Sequence, residues 1–241
     1  MFHFVRKTAV AAILALTIVL PSLAAQPKES AVEPKPRDAG WVKRHEGFVK
    51  EVKDLAGKVD LLFVGDSITD GWRGGGKAVW KENYAPLNAF NIGIGGDRTQ
   101  HVIWRLQNGE VEGISPKLAV MMIGTNNLGG NTNDEIVAGI TGCVKELQTR
   151  LPKTKVLLLG VFPRGMAADN PARARIKAIN ADIAKLDDGG KTVKYLDIGE
   201  KFLDKDGVLT KEIMPDALHP NAKGYQIWAD AIKDTVAEMM K

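Results

Sequence analysis

With 241 residues, 44% of them apolar and 26% charged, the chain carries enough apolar material to bury one substantial core and has an ordinary soluble composition. Its formal net charge is +4, but Arg6 and Lys7 lie in an acid-free N-terminal stretch, and Lys and Glu are interspersed over the remainder. That balance, with no basic run interleaved with stacking aromatics, excludes a nucleic-acid partner. Cys143 is the only cysteine, so no intramolecular disulfide can form and the fold stands on packing. Its neighbours Ile140, Val144 and Leu147 mark it as a buried helix position rather than a reactive thiol.

Residues 1–25 have the form of a secretory signal: Arg6 and Lys7, an apolar run over 8–20, Pro21, then Ser22-Leu23-Ala24 as a cleavage site. A run of that length spans about 20 Å as a helix, short of the roughly 30 Å hydrocarbon core, so a permanent membrane anchor is not expected. Secretion or periplasmic export follows as the expected localisation. Residues 26–40 contain three prolines and scattered charges and read as a flexible tether. From 41 to 241 the chain reads as a single domain.

Within that domain, short apolar runs alternate with amphipathic stretches. The runs cover 59–64, 89–92, 118–123, 156–159 and 193–198; each is nearly unbroken, as strands covered on both faces should be. Helices are expected over 42–55, 99–107, 133–150, 171–186 and 222–240. The stripe Ile136, Ile140, Cys143, Val144 and Leu147 supports the third of these. Pro171 and Pro220 suit early helix positions, after Asn170 and His219. Strand–helix alternation implies βαβ units, a parallel sheet and helices on both faces.

In such sheets function gathers at the carboxyl ends of the strands. The first run ends in Gly65-Asp66-Ser67-Ile68-Thr69-Asp70. The second ends in Asn91-Ile92-Gly93-Ile94-Gly95-Gly96-Asp97-Arg98, and the third in Gly124-Thr125-Asn126-Asn127. The fifth is followed, after a loop, by Asp216-Ala217-Leu218-His219-Pro220. A hydroxyl, a glycine nest, an amide pair and an acid–base pair therefore meet on one rim. Taken singly each has a plainer reading. Ser67 could simply cap a helix, Asp216 and His219 could be turn residues, and glycines 93, 95 and 96 could serve a tight turn.

Together, in this order, the four blocks resemble those of the SGNH (GDSL-type) hydrolases, from about residue 61 to 224. Residues 91–106 and the Gly-Thr-Asn-Asn block are similar to the catalytic subunits of intracellular platelet-activating-factor acetylhydrolases. The resemblance implies a three-layer α/β/α sandwich on a five-stranded parallel sheet, flavodoxin-like in order. It implies Ser67 as nucleophile, His219 as its base and Asp216 as the group orienting His219. The oxyanion donors would be the backbone N–H groups of Ser67 and Gly96 and the side chain of Asn126. One departure stands out: the family's block-three Asp is Asn127 here, which points to a structural role for that position.

His101 is a competing base beside the glycine turn, and His45 is expected on a charged helix face. Asp66 and Asp97 read as loop braces. Residues 71–77 mimic a phosphate loop, but Ala78 stands where Ser or Thr is required. A flexible loop with Trp72 and Arg73 near substrate is the better reading, so Asp66, Trp72 and Asn127 complete the candidate substrate-side residues. An acyl pocket is expected near Trp72, Leu128 and Phe162, with Trp104 and Trp228 in the core. There is no Gly-x-Ser-x-Gly elbow and no metal-ligand spacing, so no cofactor or metal is called for. The implied activity is metal-free hydrolysis of short-chain, acetyl-type esters through an acyl-serine, with an O-acetylated glycan or polysaccharide as substrate. A lysophospholipase or thioesterase, or a non-catalytic glycan-binding protein on the same fold, is the alternative; dimerisation, as in relatives, is left open.

Overall fold

The computed structural model describes residues 1–3, 29–55 and 57–241; residues 4–25 of the expected export signal and the first three of the expected tether lie outside these. The elements run α1 (Ala39–Leu55), β1 (Leu61–Gly65), α2 (Ser67–Asp70), α3 (Lys77–Asn83), β2 (Ala89–Asn91), α4 (Thr99–Gln107) and β3 (Leu118–Met122). They continue with α5 (Asn133–Arg150), β4 (Lys155–Leu159), α6 (Pro171–Ile183), β5 (Val193–Leu196) and α7 (Ala222–Met239). All strand pairings are parallel and the sheet order is β2-β1-β3-β4-β5, the flavodoxin-like arrangement.

The unbroken apolar strands divide between two cores by the alternation of side chains along a strand. Leu62, Val64, Ala119, Met121, Val156 and Leu158 face one cluster, built with α1, α4, α5 and α6. Leu61, Phe63, Leu118, Val120, Met122 and Leu157 face the other, closed by the 68–84 region and α7. Three layers result.

Several boundaries differ from the sequence reading. The last turn expected for α6 tightens into a 3₁₀ turn, Ala184–Leu186. Asn170 caps α6, with Pro171 as its first residue, but α7 is capped by Asn221, so Pro220 lies ahead of the helix. Residues 71–77 are no loose loop: Gly71–Arg73 is a 3₁₀ turn leading through Gly76 into α3. A Cβ on Gly71 would sit 2.0 Å from the Tyr225 hydroxyl, so only glycine lets this turn pack on α7. The tether, too, is laid on the domain from Glu29 onward. Ala31 is buried, Thr99 Oγ1 donates to its carbonyl (2.7 Å), and Lys35 N–H donates to Gln100 O (3.4 Å).

The rim above β1 and β2 is organised by Arg105, a fully buried guanidinium on α4. It donates to Asp97 Oδ2 (2.8 Å), to Glu110, and to the main-chain carbonyls Ile92 O (2.7 Å) and Gly65 O (3.3 Å). Trp41 Nε1 completes Asp97 from α1 at 2.6 Å. Replacing Arg105 with Met removes the fully buried cation from Asp97 and Glu110 and leaves Asp97 with the part-exposed Arg37; breaking a buried pair in this way costs about 3–5 kcal/mol. We expect a loss of that size in urea unfolding of Arg105→Met; an unchanged midpoint would show that the network contributes nothing net.

A buried acid lies at the foot of α2. Asp66 caps the helix by accepting Ile68 N–H at 2.9 Å, and its Oδ2 has no hydrogen-bond partner among the described residues. Burial pushes its carboxyl up from 3.8 to about 7, against the Ile68 bond and with help from Asp97. A raised folded-state value means that stability is full below the unfolded value and is lost as pH rises through about 7. The stability of Asp66→Asn relative to the parent should therefore rise between pH 4 and 7, by on the order of 4 kcal/mol, and level off above. A pH-independent difference in paired denaturation curves would overturn the assignment.

Candidate active site

The site forms where three chain-distant segments meet at the carboxyl ends of β1, β2 and β3. The first is the β1–α2 junction, at which Ser67 is the first helical residue. Asn91, at the end of β2, locks this junction to the glycine turn: its amide donates to Thr69 O and its Oδ1 accepts Gly93 N–H, both at 2.8 Å. Gly93 must be glycine, because a Cβ there would lie 2.4 Å from Asp70 N.

The second segment is the turn after Met214. Ala217 has a positive φ of 60°, a strained conformation for a residue with a Cβ, and it brings Asp216 and His219 to the same side. Asp216 Oδ1 accepts the N–H groups of Leu218 (3.1 Å) and His219 (2.7 Å), while Oδ2 lies 2.6 Å from His219 Nδ1. With Nδ1 donating to the carboxylate, Nε2 is left as an acceptor, and it sits 2.8 Å from Ser67 Oγ. Slight burial pushes the Asp216 carboxyl up, but the His219 hydrogen bonds outweigh it and hold it below the usual range. The arrangement thus pairs an ionised acid, an oriented imidazole and a hydroxyl in one hydrogen-bonded chain.

The third segment is the glycine turn after β2, together with the loop after β3 that holds Asn126. Gly96 has φ +78°, and the Arg37 guanidinium occupies the space a side chain would need: a Cβ at this position would lie 3.2 Å from Arg37 Nη1. Arg37 also donates to Gly95 O at 2.7 Å and lies 3.3 Å from Asp97 Oδ1. Asn126 Nδ2 donates to Asp97 O at 2.9 Å, which uses one of the two protons of the amide. Arg164 braces this loop through Thr125 O (3.1 Å).

Other sequence candidates fall elsewhere. Trp72 is a core residue, packed among Phe63, Tyr84, Tyr225 and Trp228, and Phe162 is equally buried against Phe202 and Trp228. Both rings are held by the aromatic cluster, and Trp72 borders a cleft formed with Arg73, Trp80 and Phe90. Asp66 is likewise buried, as the cap of α2. Asn127 accepts Thr99 N–H (3.0 Å) and donates to Thr99 Oγ1, Gln100 Oε1 and Asn131 Oδ1. It fixes the start of α4 and is fully buried. His101 Nδ1 accepts Arg98 N–H (3.0 Å), and burial with nearby Arg37 pushes its pKa down to about 4. His101 is therefore spent on capping α4. His45 is not on an exposed face: it is buried between Glu110 and Asn108 O. Cys143 is buried, and burial pushes its thiol pKa up. Sequence reasoning missed Arg37, Trp41, Asn91 and Arg105, all of which fix the rim. The only signal was a charged residue, Arg105, on the apolar side of α4.

The model of the GDSL-like lipase/acylhydrolase family matches residues 63–227. The chain is 37% identical over 208 residues to platelet-activating factor acetylhydrolase IB subunit alpha2 of Rattus norvegicus, covering 85% of this chain and 86% of that one. It is also 37% identical over 198 residues to the alpha1 subunit of Homo sapiens, covering 82% and 83%. Among solved structures the fold is shared with an acetylxylan esterase from Geobacillus stearothermophilus, with a TM-score of 0.58, 20% identity and coverage of 74% and 93%. With a matched region that holds both the Ser67 junction and the Asp216–His219 turn, the chain belongs to the GDSL-like lipase/acylhydrolase family and is a carboxylic ester hydrolase.

Proposed function

We propose that this protein removes short acyl groups, acetyl above all, from O-acylated glycans, with Ser67 as nucleophile. The observation that carries the mechanism is the chain Asp216–His219–Ser67, with links of 2.6 and 2.8 Å. Ser67 Oγ attacks the ester carbonyl carbon as His219 Nε2 takes its proton, and Asp216 stabilises the imidazolium. The oxyanion is received by the N–H groups of Ser67 and Gly96 and the spare N–H of Asn126, a preorganised set in which each donor is worth about 3 kcal/mol. The C–O bond to the alcohol then breaks, with His219 returning the proton to the leaving oxygen. Water, activated by the same imidazole, releases the acid and frees Ser67.

Three features support a small acyl group. The 37% identical relatives are named as acetylhydrolases. Ile68 and Trp72, in and next to the nucleophile turn, are fully packed. The Asp216–His219 side stays open, with 42% of the His219 side chain exposed, which suits a bulky acceptor outside a shallow acyl site. Export directed by residues 1–25 would bring the enzyme to glycans outside the cytoplasm.

Ser67→Ala and His219→Ala should each lower kcat/KM on p-nitrophenyl acetate by at least about 10³-fold with the fold intact by circular dichroism. Near-normal turnover by Ser67→Ala would refute the nucleophile. Across p-nitrophenyl esters from acetate to laurate, kcat/KM should peak at acetate or butyrate and fall steeply by octanoate. A maximum at decanoate or beyond would favour a lysophospholipase or thioesterase instead.

A further inference from the structure

A cleft of about 530 Å³ opens between α6 and the segments that follow β4 and β5, a size typical of small-ligand sites. Val161, Ile176 and Leu203 give it an apolar floor, while Arg173 and Lys177 line it together with Tyr195, Asp197 and Glu200. Part of this rim is pinned. Asp197 Oδ2 accepts Asn180 Nδ2 (3.0 Å) and the Tyr195 hydroxyl (3.2 Å), and Asn180 Oδ1 is fixed by Val161 N–H (2.8 Å). The Tyr195 hydroxyl has spent its proton and keeps its lone pairs. Lys177 and Glu200 make no side-chain hydrogen bond or ion pair among the described residues.

The charges decide what fits. Asp197 and Glu200 repel an anion, Arg173 and Lys177 repel a cation, and an aliphatic chain would offer nothing to Lys177 and Glu200, the two charged groups that the protein leaves without a partner here. A sugar ring satisfies every part: its C–H faces rest on the apolar floor and its hydroxyls both donate to carboxylates and accept from Lys177.

The cleft also shares a wall with the active site. Pro163 and Ala168 line it, and between them Gly165 N–H donates to Ala217 O at 2.9 Å, inside the Asp216–His219 turn. Arg173 holds that wall through Arg164 O (3.0 Å) and Gly165 O (2.8 Å). We propose that this cleft is a carbohydrate subsite, which takes a neighbouring sugar of the glycan whose ester lies at Ser67. Such a subsite presupposes the glycan substrate proposed for Ser67.

The test compares the parent enzyme with Ala168→Trp, which fills the cleft, and with the exposed double change Lys177→Ala/Glu200→Gln. Each is assayed on p-nitrophenyl acetate and on acetylated xylooligosaccharides of one to four sugars. For the parent, kcat/KM should rise at least about tenfold with saccharide length, and both variants should lose that gain while p-nitrophenyl acetate turnover stays within about twofold. Retained p-nitrophenyl acetate turnover also reports that each variant is folded. Length-independent hydrolysis by the parent, or a gain that survives in the Lys177/Glu200 variant, refutes the subsite and leaves the glycan reading standing. Turnover of p-nitrophenyl acetate with no hydrolysis of any acetylated saccharide overturns both.

Discussion

A guanidinium that is fully removed from water must find an anion and a partner for nearly every N–H, and Arg105 does so at the one place where the site is assembled. Its bonds reach Asp97 behind the glycine turn, Glu110 beyond α4, and the carbonyls of Gly65 and Ile92. Gly65 lies two residues before Ser67, and Ile92 precedes the turn that carries Gly96. One buried cation thereby ties the Ser67 junction to the glycine turn. Such a pair contributes little net stability compared with an apolar substitute, but it is costly to break. Its value here is geometric.

The opposite half of the site is built on a different principle. Asp216 and His219 sit on an exposed turn, with about half of each side chain open to solvent, so packing does little to fix them. Hydrogen bonds from two main-chain N–H groups to Asp216 Oδ1, and the left-handed Ala217 between them, provide the order. The turn is tied in by Gly165 N–H to Ala217 O. The rim behind the glycine turn is thus rigid and buried, while the Asp216–His219 turn is open and held by hydrogen bonds.

Much of the fold was legible because its signals are local. Unbroken apolar runs located five strands, and the stripe from Ile136 to Leu147 located α5 within its observed bounds. Asn170-Pro171 marked the start of α6. The failures share a cause. Trp72 beside a glycine-rich stretch looked like a surface residue, yet Gly71 and Gly76 are small so that Trp72 and Tyr225 can close together. His45 stood among charges in the sequence, but its helix face turns toward Glu110. Residues 29–38 have a tether's composition and are nevertheless held by α4 and the glycine turn, through side-chain and backbone bonds across more than fifty positions.

The order of strands and helices, their cover on both faces, and the residue types of the rim could be read from the chain alone. Each depends on periodicity or on residue type at a strand end, properties carried within a few positions of chain. For Asn127 the sequence left both a structural and a substrate-side role, and the bonds to Thr99, Gln100 and Asn131 decide for the structural one. That His219, and not His101, meets Ser67 across 152 positions follows from folding. It alone decided that Arg37 reaches the glycine turn and that Arg105 sits buried at the centre of the rim. A charge or an imidazole takes its role from the partners and the solvent around it, and those are set by folding, not by its neighbours in the chain.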